Sequence, residues 1–222
     1  MSKNTASNRY SGILLAAGLL TAGFVNAYAQ IVWGGSVSFQ TGNMFRLGFT
    51  LASEDYAAAL NYFICILSFI AGAAVSEWIK GSAKKHPYTQ ICYLLEAAGL
   101  FLVSFLPAEW KKPVYYSLIA MMGMHVNLFG GWNKLSINVN ASTGNLKTIG
   151  TLFTKTVSGR EPVKSKLPVY TLLSFTFVLG SFIGGKMTFA ANEKSIWVIC
   201  VLLIVMAVMD GMQHRDSSPE GK

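Results

Sequence analysis

The sequence predicts an all-α fold: a polytopic transmembrane helix bundle of six spans plus two short broken or re-entrant helices, duplicated internally with inverted topology. Three observations carry the prediction. Apolar residues come in long blocks, and only 13% of the chain is charged, where soluble domains carry roughly 25%. A Thr-Gly-Asn tripeptide occurs twice in similar surroundings, at Thr41-Gly42-Asn43 and Thr143-Gly144-Asn145. Basic residues gather between the apolar blocks, as expected where loops face anionic lipid.

A span needs roughly 20 mostly apolar residues. Gly12–Trp33 meets that and ends at the break Gly34-Gly35-Ser36. A short mixed segment, Thr41–Ala52, follows and carries Arg46; Tyr56–Ile79 is the next span. The basic loop Lys80–His86 leads to Thr89–Leu106, which Pro107 and the Glu109–Lys112 loop close. The order then repeats. Val114–Trp132 is a span, Asn133–Ser142 is polar, and Thr143–Val157 is a second short mixed segment bearing Lys147 and Lys155. After the loop Ser158–Pro168 come spans over Val169–Ala190 and Ser195–Met209. The organisation is a cytoplasmic tail 1–11, one half over 12–112, a second over 113–210 and a cytoplasmic tail 211–222.

The flanks support duplication. Val25-Asn26 precedes the first tripeptide and Val126-Asn127 the second; Gly48 pairs with Gly150, Gly72 with Gly180 and Ser76 with Gly184. The positive-inside rule sets the topology. If both short segments enter and leave on one side, only Arg46, Lys111, Lys112, Lys186 and Lys194 of the 18 basic residues lie outside. Full crossing by the short segments would move the Lys80–Lys85 cluster outside and weaken that bias. Three spans per half then force the second half to enter from the opposite face, an architecture common in secondary transporters. Lys3 and Arg9 ahead of an apolar stretch ending in Ala27-Tyr28-Ala29 resemble a cleavable signal. Recurrence of a related segment mid-chain argues for a retained helix.

Net charge is +8, but no nucleic-acid motif accompanies it. Cys65, Cys92 and Cys200 sit inside apolar blocks without metal-ligand spacing, so they read as packing residues. No H-E-x-x-H, G-x-S-x-G or Walker loop is present. No enzyme activity, metal or cofactor is expected.

The candidate site residues are Gln40, Thr41, Gly42 and Asn43, with Ser142, Thr143, Gly144 and Asn145. Each set precedes a short helix, and non-helical backbone at membrane depth is tolerated only where protein or a wet cavity covers it. A helix N-terminus placed there favours negative charge. The ordinary alternative is that these residues only cap a helix. Arg46 and Lys147, close behind the two asparagines, would favour an anionic or dipolar solute; otherwise they snorkel to headgroups. Asn26 and Asn127 sit inside apolar spans at matching places and either bond across helices or line a pathway. Glu96 is a mid-span carboxylate and His125 a mid-span imidazole, candidates for a proton relay. Gly180/Gly184 and Gly72/Ser76 have the spacing for close helix packing, within the chain or in a homodimer. The five tryptophans lie near span ends, as in an aromatic belt.

The stretch Gly23-Phe24-Val25-Asn26-Ala27, then Ser38-Phe39-Gln40-Thr41-Gly42-Asn43, then Gly48, resembles the YoaK-like family of bacterial membrane proteins, catalogued as domain of unknown function 1275. The resemblance covers about Gly12 to Met209. It implies six spans in the inner membrane and no particular substrate. An acidic residue is common in that family where Asn26 stands, so a charge-based role at this position does not carry over.

The function expected from this reading is a permease or channel for a small solute, anionic or polar, in the cytoplasmic membrane with both termini cytoplasmic. Its partners would be the lipid bilayer, the solute and a second copy of the chain, with no nucleic acid. The rivals are a non-transporting membrane binding or assembly protein, and a membrane-embedded enzyme acting on a lipid-like substrate through Glu96 and His125.

Overall fold

The computed structural model describes residues 2–82, 88–129, 142–159 and 166–217. Lys84, Lys85, Trp132, Lys134, Arg160 and Lys164, the stretch 130–141 and the chain end 218–222 lie outside the described residues. Within them the chain is helical and has no strand. The helices are α1 (Ser2–Tyr28), α2 (Gln40–Ala52), α3 (Tyr56–Ser82), α4 (Tyr88–Val103), α5 (Lys111–Asn127), α6 (Ser142–Val157), α7 (Lys166–Ala191) and α8 (Trp197–Ser217). A π-turn, Ala29–Trp33, carries α1 to the expected end of the first span.

Most predicted boundaries fall within a few residues of these ends, for physical reasons visible in the sequence. Gly34, at a φ of 79°, stops the π-turn in a left-handed conformation that a residue with a Cβ seldom adopts. Pro113 and Pro168 each sit in a first turn, where the missing N–H breaks no helical bond. Three differences stand out. α1 is helical from Ser2, so residues 2–11 of the expected tail belong to it; α5 stops at Asn127; and α8 continues to Ser217, eight residues past the expected Met209 and into the expected 211–222 tail. Among the described residues, three helical stretches are long and apolar enough to cross a membrane: Gly12–Trp33, Tyr56–Ser82 and Lys166–Gln213, the last comprising α7, a 3₁₀ turn and α8. Tyr88–Val103 is a shorter apolar helix.

Contacts fix the helix directions. Leu15 and Leu19 of α1 cluster with Tyr170 and Leu173 near the start of α7, while Phe24 lies against Gly184 farther along both; the pair runs parallel. The Tyr116 hydroxyl donates to Asn61 Oδ1 at 2.7 Å near the starts of α5 and α3. Asn127 Nδ2 donates to Ser76 Oγ at 2.9 Å near their ends, so this pair is parallel too. α4 and α8 are antiparallel: Thr89 bonds Asp210, and Trp197 Nε1 donates to Ser104 Oγ at 2.8 Å. α2 packs on α3 and α6 on α7.

Four glycines make the two parallel crossings close. A Cβ on Gly180 would lie 2.1 Å from the Leu20 carbonyl oxygen, and one on Gly23 2.1 Å from that of Phe177. In the other crossing a Cβ on Gly72 would lie 1.8 Å from the Ala120 oxygen, and one on Gly123 2.2 Å from that of Phe69. Backbone sits directly on backbone, as small residues permit in membrane bundles. The faces bearing Gly180/Gly184 and Gly72/Ser76 are therefore packed within the chain. The outer surface is the reverse of a soluble protein's. Only 17% of the apolar window of α3 is buried, against 67% for α1. Thus α1 is central, and α3 turns Phe63, Leu67, Ile70 and Trp78 outward.

Candidate functional site

In the core, the sequence gives two helices one polar residue each, and packing brings them together. Glu96 on α4 and His125 on α5 are 1% and 0% exposed. His125 Nδ1 lies 2.9 Å from Glu96 Oε2, and its Nε2 lies 3.0 Å from the Gly18 carbonyl oxygen of α1. A carbonyl only accepts, so Nε2 carries a hydrogen and the tautomer follows. One further proton lies on the Nδ1···Oε2 axis. It makes the pair either carboxylic acid with neutral imidazole or carboxylate with imidazolium. Both forms have no net charge, which is what allows a carboxyl group to sit in an apolar core. Phe129 covers the imidazole, with ring centroids 5.1 Å apart.

α1 continues this polarity along its length. Among the described residues, Thr21 Oγ1 is a buried polar atom of α1 without a hydrogen-bond partner, and farther along Tyr28 Oη and Trp33 Nε1 are buried beside each other, short of good hydrogen-bond geometry. Buried polar groups are nearly always bonded. Thr21 stands one turn beyond Gly18, and Tyr28 two turns beyond Thr21, on one side of the helix. Trp33 ends the series at a cavity, where it is buried rather than part of an exposed belt. At the opposite end of α4, Asp210 of α8 is buried and bonds Thr89.

The first Thr-Gly-Asn segment is built on Asn26. Its Nδ2 donates to Ala22 O at 2.7 Å and to Ser38 Oγ; its Oδ1 accepts from Ser36 Oγ at 2.6 Å and from the Ser38 N–H at 3.2 Å. These bonds fold residues 34–38 back along α1, from Trp33 to a point about 10 Å deeper at 1.5 Å per residue. α2 begins there. Gln40 Nε2 donates to Val37 O at 3.2 Å, and the buried Asn43 donates to Gln40 Oε1 at 3.0 Å. No side chain caps the first turn of α2. Thr41 is exposed and Gly42 half-buried. Replacing Asn26 with leucine would strand Ser36 and Ser38, and should cost about 1–3 kcal/mol. Hydrogen exchange over 34–43 should then accelerate while α3 stays protected; unchanged exchange would remove Asn26 from this role.

The second segment starts α6 at Ser142. Thr143, Gly144 and Lys147 are exposed and Asn145 is buried. α6 docks on α7 and α2 on α3, so the two segments rest on different helices. Asn127 does not repeat Asn26. It is exposed, and bonds Ser76 and Glu77 of α3. Gly23 and Gly123 make equivalent contacts, yet Gly23-Phe-Val-Asn26 has one residue fewer than Gly123-Met-His-Val-Asn127. One residue turns a helical side chain by about 100°. The inserted position is His125 or its neighbour, so the step that turns Asn127 outward accompanies the imidazole in the core.

Arg46 faces a cavity of about 370 Å³ with Trp33, Gly34, Gly35, Asn61, Tyr62, Lys111, Lys112 and Tyr115. The lysines and Tyr115 lie far from Arg46 in sequence and no motif linked them. A family model described as "Protein of unknown function (DUF1275)" matches residues 14–209. No curated protein and no solved structure matches the chain.

Proposed function

The chain belongs to the DUF1275 family, and from that premise we propose on its own geometry that it is a multi-pass membrane permease for a small polar or anionic solute, with Glu96 and His125 as its proton-exchanging centre. The observation that carries this reading is the buried polar line from the Glu96–His125 pair past Thr21 and Tyr28 to Trp33 and the cavity. Single polar side chains can bond across helices as packing contacts, whereas a series of them leading from a buried ionisable pair to a cavity suits a pathway. Ionisable groups buried in membrane bundles commonly mark pathways and relays.

Six crossings in two inverted halves fit the contacts. α1 pairs with α7 as α5 pairs with α3, and α4 pairs with α8. The glycine-on-carbonyl contacts of one crossing recur in the other at the positions the repeat relates. In this arrangement α2 and α6 are re-entrant helices opening to opposite faces of the membrane, with Arg46 near one and Lys147 near the other. The pair would also suit acid–base chemistry on a lipid-like substrate, but its complete burial leaves no face for a substrate to meet.

Purified protein in proteoliposomes with a pH-reporting dye inside should acidify or alkalinise the lumen when the right solute is added from a panel of organic anions and polar metabolites. Glu96→Gln keeps a hydrogen bond to Nδ1 yet holds no exchangeable charge, so it should fold normally and abolish the proton signal. A Glu96→Gln protein with wild-type proton movement would end the reading.

A further inference from the structure

We propose that the cavity bounded by Arg46, Lys111 and Lys112 is a binding site for a small dianion carrying carboxylate or phosphate groups. This rests on the permease reading for its role, though not for its existence. The cavity lies where four pieces of backbone meet: the Gly34-Gly35 reversal, α2, the start of α3 and the start of α5.

Its lining offers donors and positive charge and no carboxylate. Arg46, Lys111 and Lys112 bring three formal positive charges, and no acidic residue contributes to the wall. Among the described residues none of the three is in an ion pair. The Asn61 oxygen accepts from the Tyr116 hydroxyl, and its NH₂ group remains a donor for the cavity. The Tyr115 hydroxyl donates to Ser36 O at 2.7 Å, which ties the α5 wall to the folded-back loop that Asn26 holds. Three uncompensated cations in one concavity favour a ligand with more than one negative charge.

The walls also set size and shape. Arg46 lies 5.8 Å from the Tyr62 ring centroid, which holds its guanidinium over the ring by cation–π attraction. Trp33, Tyr62 and Tyr115 add flat apolar surface around the charges. A volume of about 370 Å³ equals roughly a dozen water molecules at about 30 Å³ each. That suits a dicarboxylate or a small phosphate ester. A Cβ on Gly35 would lie 2.5 Å from the Tyr115 hydroxyl, and one on Gly34 3.2 Å from Lys111 Nζ. Any larger residue at either position would intrude on the site.

Snorkelling to headgroups would satisfy the same cations, so the source of the anion must be part of the test. Wild-type protein in a zwitterionic detergent, and in nanodiscs of pure phosphatidylcholine, is titrated with inorganic phosphate and with terephthalate while thermal unfolding is followed. Chloride at equal ionic strength and choline serve as controls. Nanodiscs containing phosphatidic acid form the lipid arm. The dianions should raise the melting temperature saturably. Arg46→Gln and Lys112→Gln should each weaken binding by about tenfold or more, while Lys186→Gln, on α7, should not. Stabilisation confined to phosphatidic acid and lost in the same two variants keeps the site and identifies its anion as a headgroup. Dianion effects equal in all variants, or absent in both arms, overturn the proposal. Because binding is read without transport, a protein that binds dianions but moves none keeps this site and loses the permease reading.

Discussion

Replacing His125 with leucine while Glu96 remains is expected to destabilise the fold by about 3–5 kcal/mol, because it leaves a buried carboxyl group without its partner. Glu96→Leu alone should cost less, about 1–3 kcal/mol, since a neutral imidazole loses one bond and keeps the one to Gly18. The double leucine variant should recover most of the loss, as apolar replacement of a whole buried pair commonly does. Denaturant unfolding in detergent would read the cycle. Additive losses in the double variant would mean that the two side chains do not act as a unit. A stable, transport-dead double variant would separate what the pair does for folding from what it does for function. A pair kept only for stability is hard to reconcile with such a result.

The second large effect concerns the helix crossings. Gly72→Ala should cost about 3 kcal/mol or more, because the new methyl would sit 1.8 Å from a backbone oxygen that cannot move without shifting α5. Gly180→Ala should behave the same against α1, where the oxygen is 2.1 Å away. Gly48→Ala and Gly150→Ala are the contrast. Both glycines lie within short helices with nothing within 4 Å of a built Cβ, so alanine should stabilise by up to about 1 kcal/mol through helix propensity. The four variants differ by a single methyl each. Equal melting temperatures across them would show that the crossings are not in contact as described.

Much of the helix plan was legible because hydropathy sets length and glycine or proline sets ends. Trp33-Gly34 and Lys112-Pro113 each carry a boundary in plain residue chemistry. The pairing of Glu96 with His125 was not legible. Each was visible as a polar residue in an apolar run, but which face it occupies depends on which helix packs there, and no local pattern encodes that. Arg46 was visible as an interfacial cation; Lys111, Lys112, Asn61 and Tyr115 join it only through the fold. Asn26 and Asn127 show how a repeat can mislead: their flanking residues match, yet one inserted residue turns one into the core and the other out. Asp210 escaped notice because it stands just past Met209, the expected end of the last span, where a carboxyl group draws no attention; α8 runs on to Ser217, and the structure buries it.

The most direct test of the two-halves picture is the side of the membrane from which each turn can be reached. The native cysteines, Cys65, Cys92 and Cys200, are buried, so single cysteines at Gly34, Glu54, Lys111, Ser82 and Lys166 would stand clear of background with an impermeant maleimide. Gly34, Glu54 and Lys111 should label from one face, and Ser82 and Lys166 from the other. Labelling of Gly34 and Glu54 from opposite faces would mean that α2 crosses the bilayer, and the inverted, re-entrant arrangement would be wrong.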